Sequence, residues 1–438
     1  MRFRVRPVAR LRGACEVPGD KSVSHRAALL GALADGATEV HGCLEAEDCL
    51  RTLAAVQALG ADVTRKGPGH YRIVGVGRDG LQEPGDVVDC GNSGTTARLL
   101  LGVLAGQPFW TMLTGDESLR RRPMGRVAEP LARMGATIVG RKDATRLPLA
   151  VKGLRPLRAL AHTSPVASAQ VKSAILLAGL FADGPVSLTE PARSRDHSER
   201  MLCQFGARLS VEGTTITLTP GELRAATVQV PGDISSAAFL LVAGAIVRDA
   251  RVTVRRVGVN PTRMGLLDVL GAMGAALETE GGDAGEEGEP TASLTVSASP
   301  LLATAIAGAL VPRLIDEVPA LAVAAAVAHG VTTIADAAEL RVKESDRIAA
   351  LARELARMGV HVEERPDGMA IAGPQRFRGA RVSSGGDHRV AMALAVAGLV
   401  ADGETVVDDT ACVATSFPQF AETLNALAGG SAVVVEDA

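Results

Sequence analysis

A sixfold internal repeat restricts the fold of this chain more than any other feature of its sequence. A short amphipathic segment that ends in glycine recurs along the chain, and the glycines are Gly60, Gly135, Gly206, Gly274, Gly359 and Gly429. The intervals between them are 75, 71, 68, 85 and 70 residues. Each glycine precedes a short run that is β-branched or alternates between apolar and polar residues. This pattern predicts a helix, a glycine C-cap and a strand, used six times.

A second set of segments alternates with the first and is nearly uncharged and rich in Ala, Leu and Val. These segments are residues 22–35, 94–105, 168–183, 235–247, 317–329 and 389–402. A helix that is apolar on all sides is buried inside a domain. Most of these helices are predicted to end at a glycine, and those glycines are Gly36, Gly106, Gly184, Gly330 and Gly403. Six units of about 73 residues, each with one buried helix, one half-exposed helix and several short strands, account for all 438 residues.

The repeat also has a higher order. Val-Pro-Gly-Asp opens the first buried helix at residues 17–20 and the fourth at residues 230–233, which is 213 residues later. We therefore predict two homologous halves of three units each, with the second crossover near Gly232. The first strand, before Pro18, could belong to either half. The acidic and glycine-rich stretch at residues 280–290 is predicted to be a solvated surface loop.

Composition excludes several classes of protein. The net charge is −3 and aromatic residues make up only 2% of the chain, which disfavours nonspecific nucleic-acid binding and base stacking. The longest apolar run without charges, residues 301–311, is about half of what a bilayer requires. No membrane association and no nucleic-acid partner are therefore expected.

The cysteines and histidines indicate a cytoplasmic protein without a metal. The six cysteines include no C-x-x-C pair, and the eight histidines include no H-E-x-x-H motif and no pair four residues apart. Reduced, mostly buried thiols are expected. Residues 1–13 contain arginines but no apolar segment of the kind that a secretory signal has.

Polar residues are concentrated where the buried helices begin. The six starts are Gly19-Asp20-Lys21-Ser22, Asn92-Ser93-Gly94-Thr95, Ser168-Ala169-Gln170, Asp233-Ile234-Ser235-Ser236, Asp316-Glu317 and Asp387-His388-Arg389. Ser, Asn and Asp at such positions are ordinary N-caps, and this is the simplest interpretation. The alternative is an anion-binding site, because a helix N-terminus has unpaired N–H groups and a partial positive charge.

Three features favour the anion site. Lys21 and Arg389 are cations at the positive end of a helix, where the helix dipole disfavours them. Gly94 leaves room for a ligand, and Gln170 is a long polar residue on an apolar segment. If the repeats are quasi-symmetric, the helix starts of each half face one region, and the halves could form a cleft between them.

Two charged runs flank the helix starts, at Arg120-Arg121-Arg122-Pro123 and at residues 341–347. Solvated charge is the alternative explanation for each run. Lys343 is one of only six lysines against forty arginines, which favours a specific point charge. Asp316 and Glu344 are the candidate acids among these cations, and the sequence leaves their protonation open.

Together these motifs make the chain resemble the 5-enolpyruvylshikimate-3-phosphate (EPSP) synthase family over essentially its full length. The matching elements are residues 19–22 with Arg26, residues 91–95 with Arg98, residues 114–116 through 122–123, residues 341–347 and residues 387–389. Residues 168–172, 195–199 and 260–263 look like signatures of the class II branch of the family.

The resemblance implies an α/β fold with two lobes, an inside-out α/β barrel of six βαβαββ repeats with three in each lobe. It assigns residues 20–232 to the first lobe and residues 1–19 with 233–438 to the second, with the active site in the cleft between them. It also implies transfer of the enolpyruvyl group of phosphoenolpyruvate to the 5-hydroxyl of shikimate 3-phosphate, with release of phosphate. The expected enzyme belongs to the shikimate pathway, which leads to the aromatic amino acids, and it is a glyphosate target. It is expected to be a monomer and to need no cofactor and no metal.

The same resemblance implies roles for individual residues. Those that hold shikimate 3-phosphate are Lys21, Ser22, Arg26, Ser168, Gln170, Arg195, Asp316 and Lys343. Those that hold phosphoenolpyruvate are Lys21, Gly94, Arg122, Gln170, Arg347 and Arg389. Asp316 is implied as the base on the 5-hydroxyl, and Glu344, with Lys21, as the proton donor to C3.

The chain departs from some relatives in two places. Ser416 stands before Phe417-Pro418, where some relatives carry a lysine, and Gly94 is not the alanine of some glyphosate-tolerant relatives. The class II signatures and Gly94 lead to opposite expectations for sensitivity to glyphosate, and the sequence leaves this sensitivity open.

Two rival functions remain. The first is that of the UDP-N-acetylglucosamine 1-carboxyvinyltransferase family, which shares the fold. That family usually has Asn after the first catalytic lysine, where this chain has Ser22, and a cysteine in the loop at residues 111–123, which holds none. The second is a noncatalytic anion-binding repeat protein, for which Asp316 and Glu344 would have no purpose.

Overall fold

The computed structural model describes residues 1–282 and 288–437, which form two compact units. The first unit consists of residues 19–231 together with residues 288 and 289. The second unit consists of residues 1–18, 232–282 and 290–437. Residues 283–287 of the predicted acidic loop lie outside the described residues.

Twenty-five short strands are present in the described residues. In chain order they are β1 (Arg2–Val5), β2 (Arg10–Glu16), β3 (Ala34–His41), β4 (Asp62–Gly67), β5 (His70–Val76), β6 (Val88–Asp89), β7 (Trp110–Thr114), β8 (Thr137–Gly140), β9 (Arg146–Lys152), β10 (Ala161–Thr163), β11 (Val186–Thr189), β12 (Arg208–Glu212), β13 (Thr215–Thr219), β14 (Leu223–Arg224), β15 (Thr227–Gln229), β16 (Asp249–Gly258), β17 (Ala276–Gly281), β18 (Thr291–Ser297), β19 (Ala305–Ile306), β20 (Gly330–Ile334), β21 (Glu363–Arg365), β22 (Gly368–Gly373), β23 (Arg381–Ser383), β24 (Thr405–Asp408) and β25 (Val433–Glu436).

The same residues contain fourteen helical segments. They are α1 (Lys21–Leu33), α2 (Glu47–Ala58), α3 (Gly94–Ala105), α4 (Glu117–Arg121), α5 (Gly125–Arg133), α6 (Arg141–Ala144), α7 (Ala169–Gly179), α8 (His197–Gln204), α9 (Ile234–Ile246), α10 (Gly265–Ala272), α11 (Val318–Val327), α12 (Arg347–Arg357), α13 (His388–Gly398) and α14 (Phe420–Ala428). Short 3₁₀ helices occur at Gly308–Arg313, Ala338–Val342 and Thr410–Thr415. Lys142 and Asp143 have positive φ, so α6 is a left-handed turn.

Six small sheets repeat one pairing pattern, with three sheets in each unit. The orders in the first unit are β14-β3-β5-β4 with β15 also on β3, β6-β7-β9-β8 and β10-β11-β13-β12. The orders in the second unit are β17-β18-β16-β2, β19-β20-β22-β21 and β23-β24-β1-β25. Five of the sheets have one parallel junction and two antiparallel ones. In the sheet of β3, both β14 and β15 pair with β3 in parallel, and the other two junctions are antiparallel. The N-terminal strands β1 and β2 complete two sheets of the second unit.

Each unit is built around three buried helices, α1, α3 and α7 in the first unit and α9, α11 and α13 in the second. Each of these helices packs against one of the sheets of its unit. Within the first unit, α3 and α7 pack closely at Gly102, where an added Cβ would lie 2.2 Å from the carbonyl oxygen of Ala174. The helices form the interior and the sheets cover them, so the predicted α/β class with three repeats in each half is confirmed.

The predicted amphipathic helices are also confirmed, as α2, α5, α8, α10, α12 and α14. The glycine that follows each of them has a φ between +68° and +111°, in the left-handed region that glycine adopts at low steric cost. The prediction that the buried helices end at glycines was wrong in part. Only Gly106 directly follows its helix, α3. Gly36 and Gly330 lie in strands β3 and β20, because α1 ends at Leu33 and α11 at Val327. The helices α7 and α13 end at Gly179 and Gly398, before the predicted Gly184 and Gly403.

One further finding concerns membranes. Among the described residues, none of the helices combines the length and the apolar character that crossing a bilayer requires.

Candidate active site

In the second unit, a cluster of charged side chains surrounds Asp316, which lies two residues before α11. Its Oδ1 is 3.2 Å from Nη1 of Arg347 and 3.5 Å from Nζ of Lys343. Nη1 of Arg389, at the start of α13, donates to the main-chain oxygen of Asp316 at 3.3 Å, and Nη2 is 3.8 Å from Oδ2. Three helix starts of one unit therefore bring three cations to one carboxylate.

Arg347 is the centre of this cluster, which we call the Arg347 cluster. Its side chain is only 1% exposed and donates to Glu344 Oε2 at 2.7 Å and to Asp387 Oδ2 at 2.8 Å. Burial lowers the pKa of Arg347, but Asp387, Glu344 and Asp316 raise it more, so the guanidinium stays charged. For the carboxylate of Asp387, burial raises the pKa, but the charge of Arg347 outweighs burial and brings the pKa below its ordinary value. The five predicted site residues of this unit, from Asp316 to Arg389, thus lie together.

In the first unit, a second cluster lies at the start of α3, and we call it the Gly94 cluster. Arg98 donates to the amide oxygen of Gln170 at 2.6 Å, and Gln170 donates to Thr95 Oγ1 at 2.9 Å. Arg122 donates to the amide oxygen of Asn92 at 2.6 Å. A Cβ added to Gly94 would lie 2.9 Å from Nη1 of Arg98 and 3.4 Å from Nη1 of Arg122. Gly94 therefore lets both guanidinium groups approach the helix start.

Lys21, at the start of α1 in the first unit, forms an ion pair with Asp48 of α2. The Asp48 side chain is 8% exposed and that of Lys21 is 17% exposed. Sequence reasoning explained this cation at a helix N-terminus by a ligand, whereas the protein itself supplies a carboxylate that offsets the unfavourable dipole.

Arg26, one turn further along α1, is fully buried. It donates to Ser198 Oγ at 2.7 Å, to Ser173 Oγ at 2.6 Å and to the main-chain oxygen of Ser22 at 2.9 Å. Burial lowers the pKa of Arg26 to about 10, although Glu199 and Asp20 raise it. Arg26 thus connects α1 to α7 and α8. It also contacts the backbone of Ser22, a residue that is predicted to bind substrate.

Ser168 and Arg195 lie on the segments that begin α7 and α8. Ser168 caps α7, since its Oγ accepts from the amide of Val171 at 3.5 Å. Its own amide donates to Glu190 Oε1 at 3.0 Å. Arg195 is partly buried, and its positive charge contributes to the lowered pKa of Arg26.

The N-cap interpretation of the helix starts is confirmed for five of the six described starts. The side chains of Asp20, Ser93, Ser168, Asp233 and Asp387 each accept from a backbone amide of the first turn. The predicted site cations Lys21 and Arg389 are not caps but lie beside the capped turns. Capping and a cluster of cations therefore occur together at these helix starts.

One predicted feature of the acidic loop at residues 280–290 is wrong where the structure describes it. Glu289 is not solvated, because its side chain is 4% exposed and lies 2.6 Å from Nδ1 of His197 in the first unit. The pairing with a buried histidine is a long-range contact, 92 residues apart, which composition does not reveal. Within residues 1–282 and 288–437, no group of three His, Cys, Asp or Glu side chains could hold a metal ion, and the expectation of no metal stays a prediction.

Comparison with known proteins identifies the family. The family model described as EPSP synthase (3-phosphoshikimate 1-carboxyvinyltransferase) matches residues 5–424. A protein of Gloeobacter violaceus that is named 3-phosphoshikimate 1-carboxyvinyltransferase is 57% identical over 425 residues, which is 96% of this chain and 98% of that protein.

The chain belongs to the EPSP synthase family.

Other relatives agree with this assignment. A protein of Desulforudis audaxviator with the same name is 52% identical and covers 98% of this chain and 99% of its own length. The solved structure of EPSP synthase from Acinetobacter baumannii has a TM-score of 0.88 at 44% identity, and it covers 100% of both chains.

Sequence reasoning missed Asp48 and Glu190, which contact the predicted site residues Lys21 and Ser168 of this EPSP synthase family member. It noted a further set as parts of motifs but not as site residues, namely Asn92, Thr95, Arg98, Asp116 and Asp387. The polar side chains beside each helix start were the available signal, since Asn92 and Thr95 flank Gly94. Asp48 and Glu190 carried none, because an acidic residue in a first helical turn or after a strand is ordinary.

Proposed function

We propose that this chain transfers the enolpyruvyl group of phosphoenolpyruvate to the 5-hydroxyl of shikimate 3-phosphate and releases phosphate. Membership of the EPSP synthase family supports this activity, as does the name that relatives of more than 50% identity carry. The proposed product is a precursor of the aromatic amino acids, and the reaction needs no cofactor.

The observation that carries the proposal is the composition of the Arg347 cluster. It combines two partly exposed carboxylates, Asp316 and Glu344, with the cations Lys343, Arg347 and Arg389. The reaction requires one base, one proton donor and neutralisation of two polyanions, and this cluster contains side chains for each of these tasks.

In the proposed reaction, the Asp316 carboxylate accepts the proton of the 5-hydroxyl as that oxygen attacks C2 of phosphoenolpyruvate. Glu344, assisted by Lys21, donates a proton to C3, which becomes a methyl group. The tetrahedral intermediate then loses a proton from that methyl group and expels phosphate, which restores the carbon–carbon double bond. Positioning and charge neutralisation supply most of the remaining rate enhancement.

The proposed binding residues divide according to substrate. For shikimate 3-phosphate they are Lys21, Ser22, Arg26, Ser168, Gln170, Arg195, Asp316 and Lys343. For phosphoenolpyruvate they are Lys21, Gly94, Arg122, Gln170, Arg347 and Arg389. Arginine suits carboxylate and phosphate groups because its planar guanidinium can donate two parallel hydrogen bonds. Arg26 contributes through the Ser22 backbone that it holds.

We propose in addition that the enzyme works in the cytoplasm as a monomer. The free thiols of Cys15, Cys43, Cys49, Cys90, Cys203 and Cys412 support a reducing compartment. Light scattering coupled to size-exclusion chromatography tests the monomer directly, and a mass of two chains would contradict it.

Phosphate release from phosphoenolpyruvate tests the activity, with shikimate 3-phosphate or UDP-N-acetylglucosamine as the acceptor. We expect release only with shikimate 3-phosphate. Release only with the nucleotide sugar would retain the fold and replace the acceptor. Absence of release with both acceptors would contradict an enolpyruvyl transferase.

A further inference from the structure

A buried ion cluster in the first unit has no place in the proposed chemistry. Lys172, on the mostly apolar helix α7, is 1% exposed. Its Nζ lies 2.8 Å from Glu199 Oε1, 3.1 Å from Glu190 Oε2 and 3.2 Å from the main-chain oxygen of Ser194. An ammonium group has three donors, and these three acceptors satisfy all of them.

The Glu190 carboxylate of this cluster binds two backbone segments at once. Its Oε1 accepts from the amide of Ser168 at 3.0 Å. Its Oε2 accepts from the amide of Ser194 at 3.3 Å, and Ser194 Oγ lies 2.7 and 2.8 Å from the two oxygens. Ser168 begins α7, and Ser194 directly precedes Arg195. One side chain thus joins two segments that carry proposed shikimate 3-phosphate residues.

The cluster also connects two motifs of the sequence that the proposed chemistry uses only in part. Residues 168–172 end in Lys172 and residues 195–199 end in Glu199, and these two end residues form the 2.8 Å ion pair. Burial raises the pKa of Glu199 although Lys172 lowers it. Lys172 thus joins Glu199 to Glu190, and a buried ammonium group requires such partners.

We propose that Glu190 is a positioning residue for shikimate 3-phosphate, which sets the backbone of Ser168 and of the Ser194–Arg195 segment through its two carboxylate oxygens, one of which pairs with Lys172. This inference rests on the proposed function. It predicts that Glu190 affects the binding of one substrate and leaves the chemical step unchanged. A displacement of about 1 Å at a binding group is enough to weaken that binding strongly.

Glu190→Gln tests the proposal, because the amide keeps the shape of the side chain but turns one acceptor into a donor. At the Oε1 position that donor opposes the amide of Ser168, and at the Oε2 position it opposes Lys172 and the amide of Ser194, so one of the two backbone segments must move. We expect calorimetry to show binding of shikimate 3-phosphate weakened about tenfold, as for loss of a buried hydrogen bond to a charged group. The KM for phosphoenolpyruvate at saturating shikimate 3-phosphate should change less than about twofold.

Gln107→Ala is the matched control in the same unit. Gln107 is 1% exposed and accepts from Arg155 at 2.6 Å, beyond the C-terminal end of α3 and away from Gly94. It should lower the thermal midpoint without weakening shikimate 3-phosphate binding. If Glu190→Gln does not fold, Ser194→Ala removes only the hydroxyl donor to Glu190 and should weaken this binding about threefold.

Three outcomes separate the alternatives. Unchanged shikimate 3-phosphate binding in folded Glu190→Gln or in Ser194→Ala would overturn the proposal. Equal weakening of both substrates, together with a lower thermal midpoint, would reduce Glu190 to a structural residue and overturn it too. A wild-type chain that does not bind shikimate 3-phosphate would overturn the proposed function, and the positioning role would fall with it.

Discussion

The Arg347 cluster and the Gly94 cluster hold their arginines with different partners. Arg347 donates to the carboxylates of Glu344, Asp316 and Asp387. In the Gly94 cluster, Arg98 and Arg122 donate to amide oxygens, those of Gln170 and Asn92. Neutral acceptors orient a guanidinium without neutralising it, whereas carboxylates do both.

The difference indicates a division of work between the clusters. In the proposed reaction, the carboxylates of the Arg347 cluster supply the acid and base groups, and the buried arginine fixes where they lie. The Gly94 cluster presents oriented positive charge at the start of a helix, which suits the binding of an anion. Four predictions follow from this division, with the largest expected effect first.

Loss of an acid or base group in the Arg347 cluster should have the largest effect. We expect Asp316→Ala and Glu344→Gln each to lower turnover about 10²–10⁴-fold, the usual contribution of general acid–base catalysis. Their side chains are 14% and 21% exposed, so the thermal midpoint should stay within about 3 °C of wild type. Glu364→Gln, which alters only an exposed partner of Arg341, is the control. Near-normal turnover would remove the substituted residue from its role.

The two clusters should also differ in how their arginines affect stability. Arg347→Gln leaves Asp387, which is 0% exposed, without its guanidinium, and we expect about 3–5 kcal/mol of destabilisation. Arg122→Gln breaks a bond to a neutral amide and should cost about 1 kcal/mol. Urea denaturation followed by circular dichroism measures both.

The pH dependence of the same two variants sharpens this test. Because the pKa of Asp387 is lowered in the folded protein, its contribution to stability is present above its ordinary pKa and is lost as the pH falls through the lowered value. The stability gap between wild type and Arg347→Gln should therefore narrow in acid. Equal destabilisation by the two variants at neutral pH would remove the distinction between the clusters.

A methyl group at the Gly94 cluster should have a smaller effect, confined to one substrate. The Cβ of Gly94→Ala would lie 2.9 Å from Nη1 of Arg98, so this guanidinium must shift by a few tenths of an ångström. We expect the KM for phosphoenolpyruvate to rise about three- to tenfold, since charge-assisted hydrogen bonds are sensitive to geometry. Gly271→Ala, where no atom lies within 4 Å of the added Cβ, is the control and should leave both KM values unchanged. An unchanged KM in Gly94→Ala would argue against phosphoenolpyruvate at this helix start.

The smallest effect is expected at a surface charge cluster. Glu436 pairs with Arg2 and Arg4 at 2.8 Å, and these hydrogen bonds lower the pKa of Glu436 to about 2. Solvent screens such pairs, so Glu436→Gln should leave turnover unchanged and the thermal midpoint nearly so. Any loss of stability caused by Glu436→Gln should be present above the ordinary pKa of glutamate and should vanish as the pH falls towards 2. A loss of stability as large as that of Arg347→Gln would show that burial does not distinguish the ion pair of Glu436 from that of Asp387.

Much of the fold could be predicted because its signals are local. The six glycines after the amphipathic helices have positive φ, as the repeat predicted. The helix starts were found because capping residues lie within three positions of the amides that they cap. The predicted ends of the buried helices were less accurate at Gly36 and Gly330, since a glycine with positive φ serves a strand as well as a helix end.

Partners of the site residues could not be predicted in the same way. Lys21 and Asp48 are 27 positions apart, and Ser168 and Glu190 are 22 apart on different elements. Each acidic residue is unremarkable in its local sequence. Their roles depend on which helix starts a unit brings together and how far water is excluded there.

The sequence by itself determined the sixfold repeat, the class of fold, the family and most of the residues now proposed to act. Periodicity and capping record these features locally, because hydrogen bonding and burial along one element repeat every few residues. Only the tertiary structure decided that Asp387 and Glu344 share Arg347, that Asp48 pairs with Lys21 and that Glu190 joins two backbone segments. Ion pairs and hydrogen bonds act over a few ångströms in space, and that distance is set by the packing of elements far apart in the chain.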